Sequence, residues 1–171
     1  MKTVYIMRHA MSGPAGPGTD DVERTLTNRG REVASQVGAY MADNNMSPDA
    51  ALVSAAARTV ETWKQVSSAA GWKMAPRLDQ RFYLAPERIW LGALVDLKPE
   101  ISSVLIIGHH PGVDGLTVML AGQGAPTAVA EMRAGFTTGA LAELELDCNW
   151  ESIEAGSGTL TRFVTPRHLQ D

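Results

Sequence analysis

The chain has 171 residues, a formal net charge of −4 and 44% hydrophobic residues, the profile of a globular protein long enough to bury its own core. No basic excess is available to neutralise a nucleic-acid backbone, which argues against a nucleic-acid partner. The single Cys148 excludes an intrachain disulfide framework and a multi-cysteine zinc site and reads as an inert thiol. No apolar run reaches the length of a membrane span or a signal-peptide core, so no membrane association and a cytoplasmic location are expected.

Val4 to Met7 reads as a short buried strand. Met11 to Asp21, with its Ser-Gly-Pro-Ala-Gly-Pro-Gly core, is a loop. Thr27 is placed to cap a helix that carries Val33, Val37, Tyr40 and Met41 at helical spacing to about residue 43. Ala51 to Ser54 is a second strand. Ala55 to Ala70 is a second helix ended by Gly71. Trp72 to Leu78 reads as a weaker strand near a sheet edge because of Pro76. Pro86 to Leu97 is helical, Val104 to Ile107 is the clearest buried strand, and Gly112 to Leu120 is a helix. Gly139 to Leu146 and Gly158 to Val164 complete the set as two strands that pair antiparallel at an edge. Strands alternating with helices predict one α/β domain over 1–171, with a mainly parallel sheet covered on both faces.

Two clusters fall at strand ends, where open α/β sheets bind ligands. Arg8-His9-Ala10 closes the first strand, and Gly108-His109-His110-Pro111 closes the clearest later one. His110 reads as a structural residue, because an extended chain turns it away from His109. Arg58 falls in the first turn of the second helix, where the helix dipole disfavours a cation. Either a bound anion shared with the helix amides accounts for it, or it is a solvated surface arginine. Arg24 pairs with Glu23 at the surface or contacts the same anion. The four tryptophans read chiefly as packing residues, with Trp90 and Phe82 nearest the substrate rim.

The ordered set resembles the histidine phosphatase superfamily, which includes the phosphoglycerate mutases. The matching residues are Arg8-His9-Ala10, Arg24-Thr25-Leu26-Thr27 followed by Gly30, Arg58 within Ser54-x-x-x-Arg58-x-x-x-Thr62, and Gly108-His109. The compact length, Gly108 to Gly112 and the ending Gly158-Thr159-Leu160-Thr161-Arg162-Phe163 are most similar to the SixA branch, the phosphohistidine phosphatases. Ala10 stands where glycine is common, Ala55-Ala56 where proline often follows the serine, and no obvious glutamate occupies the usual general-acid position.

The resemblance implies a three-layer α/β/α sandwich of the phosphoglycerate mutase type. It implies that His9 is the nucleophile and forms a phosphohistidine intermediate. Arg8, Arg24, Arg58 and His109 would grip the phosphoryl oxygens. No metal or other cofactor is called for, since the cationic side chains take that role. The acid is open among Asp79, Asp20, Asp21 and Asp114, with Asp79 nearest the family's usual place and a capping role equally open to it. A phosphoramidate demands less of a strong acid than an alkyl phosphate, which favours a phosphorylated protein carrying phosphohistidine. The alternatives are a phosphatase for a small phosphorylated molecule and a non-catalytic phosphate- or phosphoprotein-binding module.

Overall fold

The computed structural model describes residues 1–170. These form one seven-stranded sheet in the order β3-β2-β4-β1-β6-β7-β5. The strands are β1 (Lys2–Arg8), β2 (Ala50–Ser54), β3 (Arg77–Asp79), β4 (Ser103–Gly108), β5 (Ala121–Gly124), β6 (Leu141–Leu146) and β7 (Gly158–Val164). The helices are α1 (Asn28–Asp43), α2 (Ala57–Ala70), α3 (Glu87–Val95), α4 (Gly112–Leu120) and α5 (Pro126–Ala134). Only β6 runs against the other strands, antiparallel to both β1 and β7.

Alternation along the central strands divides the apolar side chains between two faces. Tyr5, Met7, Val53, Leu105 and Ile107 meet Val33, Val37 and Met41 of α1 and Trp63 and Val66 of α2. Val4, Ile6, Leu52, Val104 and Ile106 meet Trp90 and Leu94 of α3, Val113, Leu116 and Leu120 of α4, and Ala128 of α5. This is the three-layer α/β/α sandwich. Trp90 is fully buried and stacks on Phe82 at 4.2 Å between ring centroids, so both belong to the core rather than to a substrate rim.

Several local signals act as expected. The Thr27 hydroxyl accepts the Gly30 amide at 2.9 Å and caps α1, and Gly71 closes α2 in the left-handed conformation (φ 74°). The third strand is confined to Arg77–Asp79, not the longer Trp72 to Leu78 run. The pair β6 and β7 is antiparallel, but it lies inside the sheet: β6 adds to the central β1, and β5 covers the outer side of β7. Both β5 and α5 lack a legible signal. Ala-Gly-Gln-Gly carries no apolar alternation, and α5 buries only Ala128.

Two glycines set the surroundings of the sheet edge where β1 and β4 end. A Cβ on Gly30 would stand 2.1 Å from the Met11 carbonyl oxygen, so only glycine lets the loop after β1 lie on α1. A Cβ on Gly112 would stand 1.9 Å from the Ala85 carbonyl oxygen, which fixes how α4 begins beside the segment leading into α3.

Candidate active site

Strands β2, β4 and β1 are neighbours, and each ends at the same edge of the sheet. Arg8 is in register with Gly108, and the His9 amide donates to the Gly108 carbonyl at 3.0 Å. This register places His9 and His109 side by side, with ring centroids 5.4 Å apart. Arg8, His9, Arg24, Arg58 and His109 line one cleft of about 470 Å³, together with Ser12, Asp21, Leu84, His110 and Thr138.

His9 is buried, and its Nδ1 lies 2.7 Å from the Ala10 carbonyl oxygen. A carbonyl only accepts, so Nδ1 carries the hydrogen and Nε2 carries the lone pair. Arg58 Nε donates to that Nε2 at 3.3 Å. Burial is the largest cause that lowers the His9 pKa, to about 4, and the nearby arginines add to it against the Ala10 hydrogen bond. At neutral pH the imidazole is therefore uncharged, with its lone pair on Nε2.

The motif around Arg58 is explained by hydrogen bonds. Thr62 Oγ1 donates to the Arg58 carbonyl at 2.7 Å and accepts the Ala10 amide at 3.1 Å, tying the residue after the histidine to α2. Thr59 Oγ1 donates toward the Ser54 and Ala56 carbonyls at 2.7 and 2.8 Å and secures the turn from β2 into α2. Ser54 Oγ lies 2.8 Å from His109 Nε2 and accepts the Ala56 amide at 3.4 Å. No other acceptor for the buried Ser54 hydroxyl lies within reach among the described residues, so its hydrogen goes to Nε2, which leaves Nδ1–H on His109 as a donor. The sequence motif contains Ser54 without giving it a role; its position one strand from His109 supplies one. Burial first, then Arg58 and His9, lowers the His109 pKa to about 3.

Arg58 is 3% exposed, which removes the reading of a solvated surface arginine. Its anion in this structure is Asp21. Arg58 Nη1 donates to the Asp21 carbonyl at 2.8 Å, and Nη2 to its carboxylate at 3.2 Å. Arg24 donates to the same carboxylate at 2.9 Å, to the Gly13 carbonyl at 2.8 Å and to Ser12 Oγ at 3.0 Å. The Tyr83 hydroxyl also donates to Asp21. These bonds, Tyr83 first and Arg24 next, hold the Asp21 carboxyl far below the usual carboxylate range. Nothing in the sequence singles out Tyr83. An aromatic hydroxyl 62 residues from its partner leaves no local pattern. Two buried polar atoms of the cleft, Arg8 Nε and His109 Nδ1, have no hydrogen-bond partner among the described residues, which leaves both hydrogens available to an acceptor in the cleft.

The remaining acid candidates separate cleanly. Asp79 is not brought to the cleft. Its carboxylate caps the turn Gln80–Phe82 by accepting the Arg81 amide at 2.9 Å, and it pairs with Arg81 and Arg77. Arg81 above all lowers its pKa to about 2, so it holds no proton to donate at neutral pH. Asp20 lies outside the cleft lining, with its amide donating to Glu23. Asp114 sits in the first turn of α4 beside His110, and His110 is not packed away: its side chain is 55% exposed at the mouth of the cleft.

The family model of the histidine phosphatase superfamily (branch 1) matches residues 4–83. An uncharacterised Mycobacterium tuberculosis protein, Rv1276c, is 30% identical over 163 residues, spanning 94% of this chain and all of its own length. The chain belongs to the histidine phosphatase superfamily. Within it, the structural likeness to the SixA-type branch extends over nearly the whole chain. The Agrobacterium tumefaciens protein assigned as phosphohistidine phosphatase SixA superposes with a TM-score of 0.82 at 27% identity, covering 96% of this chain and 98% of the other. The protein histidine phosphatase SixA complexed with tungstate gives 0.81 at 26% identity, with 98% and 99% covered. Among the described residues no helix is long and apolar enough to cross a membrane, and no group of three or more His, Cys, Asp and Glu side chains is placed to hold a metal ion.

Proposed function

We propose that this histidine phosphatase removes phosphate from protein-borne phosphohistidine by a two-step transfer through His9. The observation that carries the reading is the His9 tautomer. Nδ1–H is fixed on the Ala10 carbonyl, and the Nε2 lone pair faces the arginine cradle, where it accepts from Arg58 Nε. In the first step Nε2 attacks phosphorus in line, the bond to the leaving group breaks, and the phosphoryl group rests on His9. In the second, water attacks phosphorus and inorganic phosphate departs.

Arg8, Arg24 and Arg58 stabilise the charge on the equatorial oxygens, where a phosphoryl transition state spreads it. They fill the role a metal ion would otherwise take, and the proposed reaction is metal-independent. The carboxylate of Asp21 occupies Arg24 and Arg58 in the free site, so an arriving phosphoryl group takes its place. His109, with Nδ1–H unpartnered, donates to the bound dianion, whose charge opposes the burial that keeps the imidazole neutral.

A protein-borne substrate is favoured by the rim. Met11 and Leu84 line the cleft at 50% and 52% exposure, and Val118 stands at 61% beside the adjoining depression. Exposed apolar side chains grouped around a polar cleft suit the surface of a folded partner better than a small, fully hydrated sugar phosphate.

The test compares wild type with His9→Ala on a phosphohistidine-bearing protein and on p-nitrophenyl phosphate, with chelator present. Metal-free turnover of the phosphoprotein, abolished in His9→Ala, is expected. Preference for small phosphomonoesters would move the substrate class. Phosphate binding without any wild-type turnover would replace the enzyme by a binding module.

A further inference from the structure

The two-step transfer needs a proton donor for the leaving group. Among the described residues no carboxyl of the cleft is free to give a proton. Asp21 is held ionised by Tyr83, Arg24 and Arg58, and Asp79 stands outside, paired with Arg81. Of the titratable side chains that line the cleft, the arginines keep their protons, while His9 and His109 are taken up by attack and by the phosphoryl oxygens. One remains, His110.

The surroundings of His110 are those of an acid–base group. It lies where the phosphate cleft adjoins a depression of about 420 Å³, which Arg8, Asp114 and Arg133 also line. Its Nδ1 is 2.6 Å from Asp114 Oδ2, four residues on. A carboxylate there fixes Nδ1–H, orients the ring and leaves Nε2 as the nitrogen that exchanges a proton. Asp114 is in turn held near the first turn of α4, where helix amides favour a negative charge. Half-exposure gives the ring access to solvent protons, which the buried His9 and His109 lack.

Resting on the phosphatase reading, we propose that His110 is the leaving-group acid of this enzyme and that Asp114 is its positioning residue. In the first step the His9 Nε2–P bond forms and the P–N or P–O bond of the substrate breaks. The proton on His110 Nε2 passes to the departing atom, leaving His110 neutral with Nδ1–H on Asp114. In the second step His110 Nε2 takes a proton from the attacking water, the P–His9 bond breaks, phosphate leaves and His110 is again an imidazolium. Protons and charge balance over the cycle.

The experiment is a series of aryl phosphates of rising leaving-group basicity, from p-nitrophenyl to phenyl to p-methoxyphenyl, hydrolysed by wild type, His110→Gln and Asp114→Asn. A proton donor matters little to an acidic phenol and greatly to a basic one. The kcat/KM of His110→Gln, which reports only the first step, is expected within about threefold of wild type on p-nitrophenyl phosphate and about 10²-fold lower on the phenyl and p-methoxyphenyl esters. Asp114→Asn is expected to show the same trend more weakly, with KM unchanged. An equal loss across the series, or none, overturns the assignment while leaving the phosphatase reading in place. Absence of wild-type turnover on the series and on phosphohistidine alike overturns that reading and this one with it.

Discussion

Burying two neutral imidazoles makes the fold sensitive to acid, and the size of the effect follows from the site. His9 and His109 are lowered from 6.5 to about 4 and about 3, with burial the largest cause in each. Below about pH 6.5 the unfolded chain protonates both, while the folded chain keeps them neutral until those lower values. The stability they contribute is complete above pH 6.5 and is lost as the pH falls toward about 4 for His9 and about 3 for His109. Each pH unit below 6.5 over which the unfolded chain holds a proton that the folded chain lacks costs about 1.4 kcal/mol per histidine. Each histidine therefore removes about 2 kcal/mol between pH 7 and pH 5, and the pair about 4. That is a large share of a typical domain's stability of about 5–15 kcal/mol. Asp21 and Asp79, both lowered, lose their contributions only below the ordinary carboxylate range, outside this window. Glu143, raised by burial, acts in the opposite sense, but it is common to wild type and variant and drops out of their difference. The assay is urea unfolding at pH 7 and pH 5 in buffers free of phosphate and sulfate, which would bind the folded site. His9→Gln, which cannot titrate, is expected to lose about 2 kcal/mol less than wild type over the interval. Identical losses in the two proteins would refute the inference that burial holds His9 neutral.

Three further outcomes are expected. Ser54→Ala leaves both nitrogens of the buried His109 unpartnered and should cost about 1–3 kcal/mol in urea unfolding, with kcat reduced; an unchanged kcat would deny Ser54 its part in orienting His109. Asp21→Asn removes the carboxylate that occupies Arg24 and Arg58, so calorimetric titration with inorganic phosphate should show binding about tenfold tighter, or about 1.4 kcal/mol. Weaker binding would mean that Asp21 serves mainly to hold the guanidinium groups in place. Asp79→Ala should lose about 1 kcal/mol of stability with the cap and keep kcat within about twofold on phenyl phosphate, whereas a loss of about 10²-fold would restore it as the acid.

What the sequence alone determined is what local pattern encodes. Apolar runs of strand length, helical spacing after Thr27 and the stop at Gly71 mark strands and helices because burial and capping act on neighbours in the chain. The clusters at residues 8–10 and 108–110 are legible as a candidate site for the same reason. A histidine directly after a buried strand in an α/β chain lies at the sheet edge whatever the rest of the fold does. Only the tertiary structure decided which strands are neighbours. The order β2-β4-β1 sets Ser54, His109 and His9 side by side, and no local signal carries that order. The same holds for β6 and β7, whose antiparallel pairing was readable but whose place inside the sheet was set by β5, a strand with almost no side chains to announce it. Charge pairing was the least readable of all. Arg58 meets Asp21 across 37 residues, and Tyr83 meets the same carboxylate across 62, while Asp79 is claimed by Arg81 two residues away. A carboxylate's role depends on which cation or hydroxyl reaches it in space, so the acid candidates were visible as residue types, but only their partners in the fold separate them.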